Sequence, residues 1–190
     1  MRLRWVSLSV LTVMGMTVAV MTGAGAQGLG RDPNIVMADD CSPDDPAWNS
    51  VGGCPESDAP RARAYKGDVT VAEFFALLTS PLAPNDVIGH PSWRNEPSYV
   101  SIRSGQTLRV TNRGGRVHTF TPVQDFGGGF VPLLNEDMTP APECGANFAP
   151  HPDVQFVGVF ETQQLDGLEP GLHKFQCCIH PWMRAAVRVK

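Results

Sequence analysis

Three side chains near the end of the sequence have the chemical types and the spacing of metal ligands. Cys177, His180 and Met183 follow one another at intervals of three residues, so they offer a thiolate, an imidazole and a thioether within one tight segment. With a second imidazole, these donors make up the ligand set of a mononuclear copper site, in which two His and one Cys bind strongly and Met binds weakly. Because sulfur favours Cu(I) and imidazole suits Cu(II), such a site can cycle single electrons.

The second imidazole must come from elsewhere, and His118 is the best placed. It lies in a predicted strand, residues 117–121, directly after a pair of glycines. A lone histidine in a strand is ordinarily a core or surface residue, but a ligand on one sheet of a sandwich can meet a loop of the other. We therefore predict a metal site formed by His118, Cys177, His180 and Met183. The remaining histidines are predicted to be structural at His90, buried or hydrogen-bonding at His173, and exposed at His151.

The five cysteines predict two disulfides and one free thiol, if the chain folds in an oxidising compartment. Cys41 and Cys54 lie in one polar segment and could close a short loop. Cys144 then needs a partner from the adjacent pair Cys177 and Cys178. Since neighbouring residues of a strand point to opposite faces, one of the pair can bind metal while the other forms a bridge. We assign Cys177 to the metal and predict the second disulfide between Cys144 and Cys178.

The first 26 residues have the pattern of a secretory signal peptide. Arg2 and Arg4 precede an apolar run at residues 6–20, and small residues at 24–26 offer a cleavage site. We expect a periplasmic or secreted protein with no stable membrane insertion after cleavage. Loss of the two arginines would take the formal net charge from −4 to −6. This charge, and the lack of a basic cluster with interleaved aromatic residues, argue against nucleic-acid binding.

The rest of the sequence divides into three stretches. Residues 27–66 are rich in Asp, Pro, Gly and Ser and are predicted to form an acidic extension clipped by a disulfide. Residues 67–84 contain a capping-box pattern at Thr70 and Glu73, which predicts a short helix packed on the main body. Residues 85–190 form the main domain, a Greek-key β-sandwich or barrel. Its strands are predicted at residues 99–103, 107–111, 117–121, 154–160, 172–177 and 185–190.

Residues 174–184 resemble the copper loop of amicyanin, a plastocyanin-like cupredoxin, which also runs Cys-x2-His-Pro-aromatic-Met-Arg before the last strand. Residues 112–120 are similar to the family's strand that bears the first histidine. The resemblance covers about residues 95–190 and implies a cupredoxin-like Greek-key β-sandwich that holds one type 1 copper ion at the four predicted ligands. Thr119 departs from the Asn that the family commonly has after the first histidine, and can make a related hydrogen bond of shorter reach. Cys178 is also unusual at its position.

These residues predict an exported protein that carries single electrons. A transient redox partner is expected to dock near His180, Pro181 and Trp182, on a small exposed apolar patch. The alternative is a periplasmic protein for copper delivery or sequestration, which would need open, exchangeable coordination. We do not expect an enzyme, because the paired His-x-His motifs of multicopper oxidases do not occur. A binuclear copper site would need two cysteines spaced along the loop, whereas Cys177 and Cys178 are adjacent.

Overall fold

The computed structural model describes residues 32–51, 54, 67–78, 93–135 and 137–190. The predicted signal peptide, residues 1–26, and His90 lie outside the described residues. Within the described ranges, helices fall short of the length and apolar character that crossing a membrane requires.

The described chain is built mainly from strands. Its one α-helix, α1, spans Val71–Leu78, and 3₁₀ helices span Pro46–Val51, Pro132–Leu134 and Pro142–Cys144. The strands are β1 (Asn34–Asp39), β2 (Trp93–Glu96), β3 (Tyr99–Ile102), β4 (Leu108–Asn112), β5 (His118–Thr119), β6 (Thr121–Val123), β7 (Gly145–Ala146), β8 (Ala149–Pro150), β9 (Phe156–Val157), β10 (Thr162–Leu165), β11 (Gly171–Gln176) and β12 (Arg184–Val189).

Two four-stranded sheets form a sandwich. One has the strand order β10-β4-β1-β2 and the other the order β3-β12-β11-β6. β1 pairs parallel with β4, and β12 pairs parallel with β3, while the other neighbours in each sheet are antiparallel. The short strands β5 and β9 pair with each other, with His118 opposite Val157. The predicted all-β sandwich is confirmed.

One hydrophobic core joins the two sheets. Alternate residues of each strand point inward, as the two-residue period of a strand requires. The inward side chains of both sheets belong to one cluster, which includes Ile35, Met37, Leu108, Val110, Phe175, Ala185 and Val187. Phe120 and Phe175 stack within it at 4.5 Å between ring centroids. Burial of this much apolar surface is the main stabilising term of the fold.

Helix α1 is confirmed together with its cap. The hydroxyl of Thr70 accepts a hydrogen bond from the backbone N–H of Glu73, and the Glu73 carboxylate accepts bonds from the Thr70 backbone and hydroxyl. This reciprocal pair is the capping box that residues 70–73 predicted. Val71 and Phe74 face the core.

Three of the sandwich strands, β1, β2 and β10, lie outside the predicted strand ranges. β1 lies within residues 27–66, which the sequence indicated to be a polar extension, and it occupies an interior position of its sheet between β4 and β2. β2 begins at the buried Trp93. β1 is short, its middle residues are all apolar instead of alternating with polar ones, and it adjoins an Asp-rich stretch, so the sequence pattern did not reveal it.

Both predicted disulfides are present. Cys41 bonds to Cys54, Cys144 bonds to Cys178, and Cys177 is the free cysteine among the described residues. Cys177 belongs to the main core, whereas Cys178 and Cys144 belong to a second, smaller buried cluster. The two adjacent cysteines therefore point to opposite sides, as predicted, although β11 ends at Gln176, just before them.

Candidate metal centre

His118 reaches the centre from β5, a two-residue strand that follows a tight turn. Asn112 shapes this turn, because its side chain accepts a bond from the Gly114 N–H and donates to the carbonyls of Arg116 and Val157. The turn brings the chain back so that both His118 and Thr119 are buried. A buried histidine requires hydrogen-bonding or metal partners for its ring nitrogens.

The other candidate donors come from the loop between β11 and β12. Backbone bonds close this loop: the Cys177 N–H donates to the Met183 carbonyl at 2.9 Å, and the Met183 N–H donates to the His180 carbonyl at 2.9 Å. Cys177 and Met183 are fully buried, and His180 is 5% exposed. The loop thus holds all three side chains inside the protein.

Three of the four predicted ligands converge. The Nδ1 atoms of His118 and His180 are 3.1 Å apart, and the Sγ of Cys177 lies 3.8 Å and 3.6 Å from them, respectively. These three atoms form the one His, Cys, Asp or Glu cluster in the described part of the chain with the spacing to hold a metal ion. Met183, which is fully buried in the same loop, stays a predicted axial ligand.

Thr119 ties the two ligand segments together. Its Oγ1 accepts a bond from the Cys178 N–H at 2.7 Å, and its backbone N–H donates to the Cys177 Sγ at 3.3 Å. The His180 N–H donates to the same sulfur at 3.4 Å. Thr119 therefore links the two ligand segments at the position where the family commonly has Asn. Two backbone donors on the sulfur also lower its electron density.

The charges of the cluster suit a cationic ligand. Burial alone would raise the pKa of Cys177, but its bonds to His118 and His180 hold that pKa well below its usual range, so the sulfur is a thiolate. Burial alone would lower the pKa of His118, but its bond to Asp39 and the nearby Cys177 raise it to about 9, so a metal ion that binds His118 displaces a proton. Burial lowers the pKa of His180, which is therefore neutral. A thiolate and imidazoles are donors for a soft or borderline metal such as copper.

Asp39 is part of the centre and was missed by the sequence analysis. Its Oδ2 lies 2.7 Å from the Nε2 of His118, and both side chains are fully buried. Burial would raise the pKa of Asp39, but His118 and the backbone N–H groups of Gly115 and Arg116 lower it below its ordinary value. The signal that could have found it is its phase: Asp39 shares the inward face of β1 with Ile35 and Met37.

His180 lies beneath a layer of aromatic side chains. The rings of Trp93 and Trp182 lie 5.0 Å and 5.5 Å from the His180 ring, and Phe74 contacts both indoles. Trp48 stacks on Trp93, with ring centroids 5.9 Å apart. Pro181 and Trp182 are buried, so the expectation that they form an exposed patch around His180 is not met. The physical reason at Trp182 is the ring of Phe74, which lies 6.4 Å from the indole.

The remaining predicted histidines lie away from the cluster. His151 is exposed, as predicted, and lies 3.6 Å from the Asp153 carboxylate. His173 bonds through Nε2 to the carbonyl of Glu169. Neither is a donor of the three-residue centre.

Two four-stranded sheets pack around one core, and the His and Cys donors lie on β5 and on the loop between β11 and β12. The fold is cupredoxin-like. Among solved structures, the chain is similar to a purple cupredoxin from Nitrosopumilus maritimus, with 15% identity and a TM-score of 0.38 over 84% of this chain and 100% of that chain. It is also similar to a Cu(I) amicyanin mutant, with 18% identity and a TM-score of 0.32 over 51% of this chain and 73% of that chain.

A third similar structure is a Cu-containing nitrite reductase from Thermus scotoductus, with 19% identity and a TM-score of 0.34. That match covers 51% of this chain and 20% of the reductase. No family model matches the chain, and no curated protein matches it.

Proposed function

We propose that this chain is a mononuclear type 1 copper protein that carries single electrons. The observation that carries the proposal is the buried convergence of two imidazole Nδ1 atoms and one thiolate, all within 4.8 Å of one another. This is the strong-donor part of a His2Cys copper site. The Met183 thioether, which follows His180 by three residues in the same closed loop, is the proposed weak axial ligand.

Copper bound by these residues would supply a one-electron Cu(I)/Cu(II) couple. The protein's part is to hold the donors in nearly one geometry for both oxidation states. Loop-closing bonds at Met183, the Thr119 cross-link and the Cys144–Cys178 bridge restrain the residues on both sides of Cys177. Little movement of the donors means a small reorganisation energy, which favours fast electron transfer.

A groove of about 350 Å³ above His180 is the proposed docking site of the redox partner. Its wall includes the exposed apolar side chains of Phe75, Leu133 and Phe148, and His180 lies at its lining. Exposed apolar side chains around one spot are typical of a protein-interaction surface. We therefore place the transient contact over His180, but on residues other than Pro181 and Trp182.

Burial favours electron transfer over the alternative of copper delivery or sequestration. A delivery site must present its ligands to an acceptor, whereas His118, Cys177 and Met183 are fully enclosed. We propose no catalytic role. Export to the periplasm or beyond is also proposed, supported by the signal-like residues 1–26 and by two disulfides, which persist in oxidising compartments.

The test is reconstitution with one equivalent of Cu(II), followed by visible and EPR spectroscopy. We expect an intense thiolate-to-copper band and narrow copper hyperfine splitting. His118→Ala should abolish both, while the matched control His151→Ala, at an exposed site, should change neither. A colourless Cu(I) complex that exchanges freely would support copper handling instead, and failure to bind one equivalent would contradict both functions.

A further inference from the structure

Asp39 is a carboxylate in a core position. It is the third inward-facing residue of β1, after Ile35 and Met37, and it is 1% exposed. Burying an ionised carboxylate is costly unless charged or hydrogen-bonding partners compensate. The partners of Asp39 therefore show what the residue does.

These partners come from the segment that precedes the His118 strand. The Oδ1 of Asp39 accepts a bond from the Gly115 N–H at 2.7 Å, and its Oδ2 accepts one from the Arg116 N–H at 2.8 Å. The same Oδ2 lies 2.7 Å from the His118 Nε2. A side chain at Gly114 would overlap the carboxylate and lie 2.8 Å from the Asp39 amide nitrogen, so this segment is shaped to enclose it.

The bond to Asp39 determines which nitrogen of His118 is available. A carboxylate is an acceptor, so the Nε2 of His118 carries the proton and donates it. With the Nε2 proton held by Asp39, Nδ1 faces Cys177 and His180, and it is the nitrogen whose lone pair a metal ion there would take. Carboxylates that hold a ligand histidine in this way fix its tautomer and ring orientation and increase its basicity.

The second effect of Asp39 is electrostatic. Its charge lies one imidazole ring away from the donor cluster, within the core, where charges interact more strongly than in water. A negative charge there favours the more highly charged state of a bound metal ion.

We propose that Asp39 is a positioning residue of the metal centre: it holds His118 with Nδ1 directed at the metal, and it lowers the reduction potential. The inference rests on the proposed copper function and goes beyond the four ligands. The proposal also gives a role to β1, which carries none of the four predicted ligands.

The experiment compares copper-loaded wild type with Asp39→Asn. The variant keeps the shape of the side chain but removes its charge and one acceptor. We expect its reduction potential to rise by at least about 59 mV, which is a tenfold shift of the one-electron equilibrium toward Cu(I). Glu169→Gln, which removes one charge at an exposed position, should leave the potential nearly unchanged. An Asp39→Asn potential equal to that of wild type would overturn the electrostatic part of the proposal.

A measurement on the wild type keeps the proposal testable if Asp39→Asn does not fold. In the diamagnetic Cu(I) protein, long-range ¹⁵N–¹H NMR correlations of His118 should show a proton on Nε2 and none on Nδ1. A His118 with an unprotonated Nε2 would refute the positioning role. If wild type lacks the thiolate-to-copper band, the proposed function fails; if the band is present and these results are negative, only the role of Asp39 fails.

Discussion

The Cys144–Cys178 disulfide lies beside the proposed copper thiolate, and its removal gives the sharpest test of the loop's construction. Replacing both residues with Ala deletes the cross-link without leaving a thiol that could compete for metal. The bridge spans a sequence separation of 34 residues. By the loop-entropy relation, its loss should lower the free energy of unfolding by about 3.8 kcal/mol at 25 °C.

The Cys41–Cys54 bridge provides the matched control. It spans 13 residues, for which the same relation gives about 2.9 kcal/mol. The two double variants should therefore be destabilised by similar amounts, with the larger loss at Cys144 and Cys178. Urea unfolding monitored by tryptophan fluorescence measures both, with the metal-free proteins compared under oxidising conditions.

The two variants should differ far more in the spectrum of the copper-loaded protein. Cys178 donates its backbone N–H to Thr119, and its carbonyl accepts a bond from the Phe130 N–H at 2.9 Å. The Cys144 bridge fixes this residue, which is the immediate neighbour of Cys177. Its loss should shift or broaden the thiolate-to-copper band, while loss of the Cys41 bridge should not. Equal spectra for the two variants would refute the view that this disulfide positions the copper loop.

Three further predictions concern single residues. Gly114→Ala should lower the free energy of unfolding in urea by about 1–3 kcal/mol, because the new methyl group would overlap the Asp39 carboxylate; an unchanged midpoint would contradict this. Phe120→Ala, which removes a fully buried ring from the core, should cost about 3–5 kcal/mol in the same assay, and a loss under 1 kcal/mol would count against the packing described. Hydrogen bonds from Thr70 lower the pKa of Glu73, so the helix cap stabilises the protein above the ordinary glutamate pKa and is lost as the pH falls through the lowered value. Glu73→Gln should therefore be less stable than wild type at neutral pH, and acid titration of both proteins should show the difference shrinking; a constant difference would contradict the assignment.

The features that the sequence predicted well depend on short-range chemistry. Cys177, His180 and Met183 lie within seven residues, so their spacing alone indicates a common site. The disulfide pairing followed from the number of cysteines and the two-residue period of a strand, and the structure confirms it. The cap of α1 was likewise readable because its two residues are three positions apart.

The features that the sequence did not predict depend on contacts between distant segments. β1 pairs parallel with β4, placing Asn34 opposite Arg109, and no local pattern specifies such a partner. Asp39 is separated from His118 by 79 positions. An aspartate in an Asp-rich stretch is ordinarily solvated, and only its phase with Ile35 and Met37 distinguishes it. The burial of Trp182 is equally non-local, since Phe74 covers it.

Segments from the first half of the chain therefore contribute to the candidate metal centre. β1 carries Asp39 to the outer nitrogen of His118, and α1 carries Phe74 to the aromatic layer next to His180. Asp39 changes the charge near the donors, and Phe74 helps to shield them from water. Both quantities control the potential of a copper site. Two proteins with the same Cys-x2-His-x2-Met loop can consequently differ in potential because of segments more than 100 residues earlier in the sequence.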